Sequence, residues 1–218
     1  MLIIFDFLNM GEIFDRVLKE LEHHIPFTFL GAIIGIIFMV IVIYGDFLSD
    51  VSLYAEDIFF ILHPLHVFLS ALVTTTLFVK YKNKNILYAL FVGYTGAIGI
   101  ATISDSIIPY LGEILLDLPG SEPHIGFIEE PLKTNIPAFI GIFIGYWKGT
   151  TKIPHSGHVL ISTWASLFHI IMAIGASLTA IQMIGVFIFL FLAVWLPCCT
   201  SDIIYPLLFP CKIKHKHN

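Results

Sequence analysis

Residues 62–71 read LHPLHVFLSA, and residues 154–163 read PHSGHVLIST. Both contain His-x-x-His-Val-x-x-Ser, first at His63 and His66 and again at His155 and His158. A second echo pairs ISDSIIPYL (103–111) with TSDIIYPLL (200–208), and a fainter third pairs IPFTFLGAIIG (25–35) with IPAFIGIFIG (136–145). Chance aligns aliphatic residues easily in Ile- and Leu-rich helices, but it does not align two His pairs and two Ser-Asp pairs in register. The pattern predicts a duplicated three-helix unit.

The residues around these echoes point to lipid as the solvent. The 218 residues are 57% hydrophobic and 12% charged, with a mean hydropathy of +0.91. A soluble domain carries roughly twice that charged share. Apolar runs of about 20 residues, enough to cross a bilayer as helices, alternate with charged breaks. They give six candidate spans at 25–44, 57–79, 86–111, 135–147, 155–178 and 182–209. The expected fold is therefore an all-α integral membrane bundle. Before it, Ile13, Phe14, Val17, Leu18 and Leu21 share one face of a short amphipathic segment, which is expected to lie on the membrane surface.

The charges orient this bundle. Arg16, Lys19, Lys80, Lys82, Lys84, Lys148, Lys152, Lys212, Lys214 and Lys216 fall on one side, and Lys133 alone on the other. The alternate loops are acidic, with Asp46, Asp50, Glu56 and Asp57 in one and Glu113, Asp117, Glu122, Glu129 and Glu130 in the next. Positive residues collect in the cytoplasm, so both termini are expected there, in a plasma membrane of prokaryotic type. Three helices per copy turn the second copy over, which makes the halves an inverted repeat, an architecture of secondary transporters. The expected organisation is a cytoplasmic segment (1–24), a first repeat (25–111), an acidic outer loop (112–134), a second repeat (135–209) and a basic cytoplasmic tail (210–218). Six spans is small for alternating access, which favours a homodimer. Arg occurs once and no basic patch stands out, so nucleic acid is not an expected partner. The partners expected are the lipid bilayer and a metal cation or proton.

Histidines three apart share a helix face, so His63 with His66, and His155 with His158, can address one ion. Imidazole binds divalent transition metals, and a carboxylate can complete the ligand set. Asp105 lies at a depth matching the first pair, and Asp202 is its counterpart in the second copy. The expected sites are thus an outer His63, His66 and Asp105 and an inner His155, His158 and Asp202. Ser104 and Ser201, each next to its aspartate, are expected to orient that carboxylate. Cys198 and Cys199 lie within a turn of Asp202 and could add thiolates, although packing is the simpler reading of both. His169 is expected to pack, and His124 with its acidic neighbours to form a solvated loop. Pro64, Pro109, Pro154, Pro197 and Pro206 stand beside these groups, and proline removes a backbone donor and disrupts a helix locally.

Ser-Asp-x-x-x-Pro at 104–109 and 201–206 resembles a motif of multi-span heavy-metal exporters, a likeness that covers only these two stretches. The resemblance implies metal export, although those proteins have more spans and different Cys and His motifs. SGH at 156–158 is similar to part of the type-2 phosphatidic acid phosphatase signature, but the arginines of that signature are missing. Intramembrane zinc hydrolases of the ceramidase kind also gather His, Asp and Ser in a helical bundle. Glu129-Glu130 resembles the acidic pair of membrane CAAX-type proteases, whose arginine is absent here.

The leading expectation is a secondary transporter or exporter of a divalent transition-metal cation. An intramembrane metal-dependent hydrolase acting on lipid is the alternative, and a protein whose His and Asp serve structure alone is the third. Two clusters more than about 10 Å apart suit a path, while one convergent cluster suits a reaction centre.

Overall fold

The computed structural model describes residues 7–81, 84–148, 155–199 and 204–209, with the side chains of 7–17, Glu20, His23, His24, Tyr81, His155, Ser156, Cys199 and Leu207 outside that description. Every regular element among the described residues is helical. In chain order these are α1 (Phe7–Tyr44), α2 (Leu48–Tyr81), α3 (Ile86–Thr102), a π turn (Ile103–Ile107) and α4 (Ile108–Leu115). There follow α5 (Gly126–Glu129), α6 (Pro131–Lys148), α7 (His155–Ala173), α8 (Ala180–Cys199) and α9 (Tyr205–Leu207). Four stretches are long and apolar enough to cross a membrane: Ile25–Tyr44, Leu48–Lys80, Ile86–Leu115 and Ala180–Cys198. Helix α7 contributes a shorter apolar stretch, Gly157–Ala173.

The amphipathic segment expected before residue 25 is not a separate element. Helix α1 runs unbroken through it, because no glycine lies between Glu12 and Leu30 and Pro26 is absorbed within the helix. Pro26 has no N–H for the carbonyl one turn back. Next to that gap, Trp195 of α8 donates its indole N–H to Leu21 O at 3.0 Å. Pro64 and Pro197 likewise lie inside helices that continue, so α2 is not broken beside its histidines. Neighbouring helices hold such segments together in a membrane.

Pro109 behaves differently. It cannot donate to the carbonyl of Asp105 four residues back, and its ring crowds that carbonyl. The chain widens there into the π turn, where the Ile108 N–H reaches Ile103 O. Such bulges recur at functional positions. This one leaves Ser104, Asp105 and Ser106 wholly buried.

Helix α2 is the centre of the bundle, packed on α3, α6 and α7. Helix α6 lies close enough to α2 that a side chain at Gly141 or Gly145 would collide with the carbonyls of Phe68 and Leu72. Small residues one turn apart commonly allow this approach between helices in lipid. Helix α1 lies against α7 and α8, with Gly31 against Thr163 and Gly35 against Leu167 and Leu190. The main apolar cluster joins α1, α2, α7 and α8 through residues such as Met39, Phe59, Leu167, Ile171 and Leu190. A second joins α2, α3 and α6 through Val67, Ala97 and Ile142.

Candidate metal centre

Along α2, His63, His66, Ser70 and Thr74 recur at steps of three and four residues and are all buried. Along α7, His158, Ser162, Ser166 and His169 do the same. Each set is a polar stripe on one helix face. Helices α2 and α7 pack together, so the stripes meet inside the bundle, and the π turn adds Asp105 to them.

Asp105 Oδ2 lies 2.9 Å from His63 Nδ1 and 2.7 Å from His66 Nδ1. A carboxylate only accepts, so both imidazoles donate from Nδ1 and keep Nε2 for another partner. Ser162 Oγ donates to the other carboxylate oxygen at 3.0 Å. Ser104 Oγ lies 2.8 Å from Ser162 Oγ and donates to it, since the hydroxyl hydrogen of Ser162 is committed to Asp105. Ser166 Oγ is within reach of two carbonyls, Ser162 O at 2.9 Å and Ser104 O at 3.2 Å.

Beyond this network the donor atoms of His66, His158 and Cys198 gather within 4.8 Å of one another. His66 Nε2 is 3.8 Å from Cys198 Sγ, and the rings of His66 and His158 have centroids 4.6 Å apart. Cys198 Sγ also lies 3.5 Å from Ser162 Oγ. Two imidazoles and a thiolate form a soft donor set suited to zinc and other borderline transition metals. Three protein ligands leave a fourth position for water or substrate. The carboxylate behind His66 fixes its ring and tautomer, as carboxylates do behind metal-binding histidines.

Of the expected site residues, the structure brings His63, His66, Asp105, His158 and Cys198 together. His63, His66 and Asp105 of the expected outer trio are in contact, and His158 of the second motif also meets His66 of the first. Packing of α2 against α7 joins the two motifs, which a helix-by-helix reading leaves apart. Both carboxylate oxygens of Asp105 accept hydrogen bonds, Oδ2 from His63 and His66 and Oδ1 from Ser162. Ser104 does not reach its neighbouring carboxylate, because successive residues on a helix point about 100° apart. Ser162 holds Asp105 instead, and that serine was visible as the last residue of the repeated motif. The side chains of His155 and Cys199, and all of Ser201 and Asp202, lie outside the described residues.

One further residue, Glu113, escaped the sequence reading as a buried group. Glu113 counts as a loop residue by charge, yet α4 continues past it and buries it against α7. There Glu113 Oε1 lies 2.7 Å from His169 Nδ1. The other acidic pair separates: Glu129 faces His124, and Glu130 binds Lys133 at the surface. Comparison with protein-family models, curated proteins and solved structures finds no match for this chain.

Proposed function

We propose that this chain is a multi-pass transporter of a divalent transition-metal cation, which it passes between the faces of six spans arranged as two inverted three-helix repeats. The observation that carries the reading is the convergence of His66, His158 and Cys198 inside apolar helices together with a second buried polar pair, Glu113 and His169, farther along α7. A cation loses its hydration on entering hydrocarbon, and ionisable groups buried among membrane-spanning helices are functional by default, ion paths among their roles. The donors come from both halves: His66 stands on α2, and His158 and Cys198 on α7 and α8. Movement of one half against the other would therefore assemble and dismantle the ligand set, which is the logic of alternating access about a central site.

The packing supports the repeat. Helix α1 lies on α7 through Gly31 and Gly35, and α6 lies on α2 through Gly141 and Gly145. In each case the first helix of one unit packs on the second helix of the other, with glycines that align between IPFTFLGAIIG and IPAFIGIFIG. Pro109 follows the π turn, and Ile204, two residues before Pro206, is also π-type. The basic loops then favour cytoplasmic termini in a plasma membrane.

A second buried pair favours a path over a single reaction centre. Glu113 is eight residues beyond Asp105, and His169 eleven beyond His158, which is about 12 to 16 Å of helix rise. Polar groups thus continue along α7, against α4, well past the convergent cluster. The specific observation on the other side is Ser162, whose hydroxyl contacts both Asp105 and Cys198. A metal with an open position next to a serine and a carboxylate is also what an intramembrane hydrolase acting on lipid requires. Flux of zinc, cobalt or manganese into proteoliposomes separates these readings. Transport by the wild type that is lost in His66→Ala, His158→Ala and Cys198→Ala supports the carrier. Hydrolysis of bilayer lipid without metal flux, lost in the same variants, supports the enzyme. Flux unchanged in all three variants would sink the proposal.

A further inference from the structure

Past the Asp105 network, α4 and α7 face each other a second time. Glu113 and His169 are each 1% exposed and are joined through Glu113 Oε1 and His169 Nδ1. The remaining atom of each group, Glu113 Oε2 and His169 Nε2, is buried with no hydrogen-bond partner. An orphaned polar atom in an apolar interior is costly, and the pair holds two.

A third residue comes from the segment between α4 and α5. The His124 ring stands against His169, with centroids 5.5 Å apart and planes 72° to one another. Phe59 of α2 packs on both rings, at 5.4 Å from His169 and 6.5 Å from His124. His124 Nδ1 lies 3.2 Å from Glu129 Oε2, and the other oxygen of Glu129 accepts from the Ile125 N–H at 2.7 Å. Both imidazoles therefore have a carboxylate at Nδ1 and keep Nε2, the arrangement that frames His63 and His66. It is the usual arrangement of metal-binding histidine. His169 is sealed in, while the His124 side chain is 17% exposed, so one member of the pair meets solvent.

We propose that His124 and His169 form a second site for a divalent transition-metal cation, with Nε2 of each as ligands and water in the remaining positions. Glu113 and Glu129 orient the two rings and supply negative charge beside the ion. Among the described residues only His66, His158 and Cys198 already hold three donors within 4.8 Å. Loading the second site accordingly draws His124, on a non-helical segment, toward the fixed Glu113–His169 pair. Two nitrogen donors without a thiolate make a weaker site than the inner one, suited to catching and releasing an ion at the mouth of the acidic loop. That place on the route rests on the transport reading, whereas the binding itself does not.

Cobalt(II) serves as the probe, because a thiolate bound to it gives a charge-transfer band and imidazole alone does not. The full chain in detergent is dialysed to equilibrium against cobalt, and bound metal and spectrum are read together. Two ions per chain are expected in the wild type. His124→Ala, at a partly exposed position, and His169→Gln should each reduce this to one and leave the band intact. Cys198→Ser should remove the band and spare the second ion. The second site is overturned if His124→Ala and His169→Gln both keep two ions, or if the wild type binds a single, thiolate-linked ion. A single ion with no band, lost in His124→Ala, upholds this site and overturns the inner one. A wild type that binds no cobalt overturns both.

Discussion

Helix α2 and the pair α1 and α8 differ in a way that reverses the rule for soluble proteins. Helix α2 is the less apolar, yet 67% of its most apolar window is buried, against 33% for α1 and for α8. In water the most hydrophobic segment would be the best hidden. In lipid, apolar side chains lose little by facing outward, and contact between helices comes from close packing and polar bonds. Ile37 and Ile41 of α1 and Ile181 and Ile184 of α8 are accordingly exposed. His63, His66, Ser70 and Thr74 of α2 are inside. In this chain polarity marks the centre.

Substitutions on the two sides should therefore differ in cost, and the greatest loss is expected at Asp105. Asp105→Asn leaves His63, His66 and Ser162 without the carboxylate they share, and breaking a buried pair costs about 3 kcal/mol or more. Surfactant-induced unfolding of the variant measures it, and bound zinc should fall together with the midpoint. Gly145→Leu comes next, because a large side chain must displace the Leu72 carbonyl between α6 and α2. Overpacking of this kind costs about 1–3 kcal/mol, and the same unfolding assay should show it with the metal ligands untouched. Ser162→Ala removes one hydrogen bond to Asp105, for about 1 kcal/mol. Its clearer signature is a drop of about tenfold in metal affinity through the orienting group, read by competition with a chelating dye. The smallest effect belongs to the lipid side, where Ile184→Ala should stay within about 0.5 kcal/mol. A large loss there would show that α8 is covered by another helix, such as one from a second copy of the chain, and would break the comparison.

The helices and most residues of the candidate metal centre were legible in the sequence, for identifiable reasons. Apolar length marks a span, and the spacing of His63 with His66 places both on one face, so the approach of Asp105 to that pair was legible. The meeting of His66 with His158 was not, because periodicity tells which residues share a face and not which face another helix turns toward it. Cys198 stood only as a possible added thiolate beside the simpler reading of packing, because the first half has no cysteine at the matching place and the repeat gave no hint of it. Ser162 closes the repeated motif, but its spacing from His158 does not tell which partner on another helix it meets. Glu113 was assigned to a loop on charge alone, although the apolar period continues through Ile114 and Leu115 and carries α4 past it. Its burial depends on His169 being opposite, which only the packing of α4 on α7 reveals.

X-ray absorption at the zinc edge of the purified, zinc-loaded protein tests most directly whether His66, His158 and Cys198 hold a metal together. A shell with one sulfur at about 2.3 Å and nitrogens near 2.0 Å is expected, with the sulfur lost and nitrogens kept in Cys198→Ser. A shell of nitrogen and oxygen alone in the wild type, unchanged in Cys198→Ser, would contradict the account.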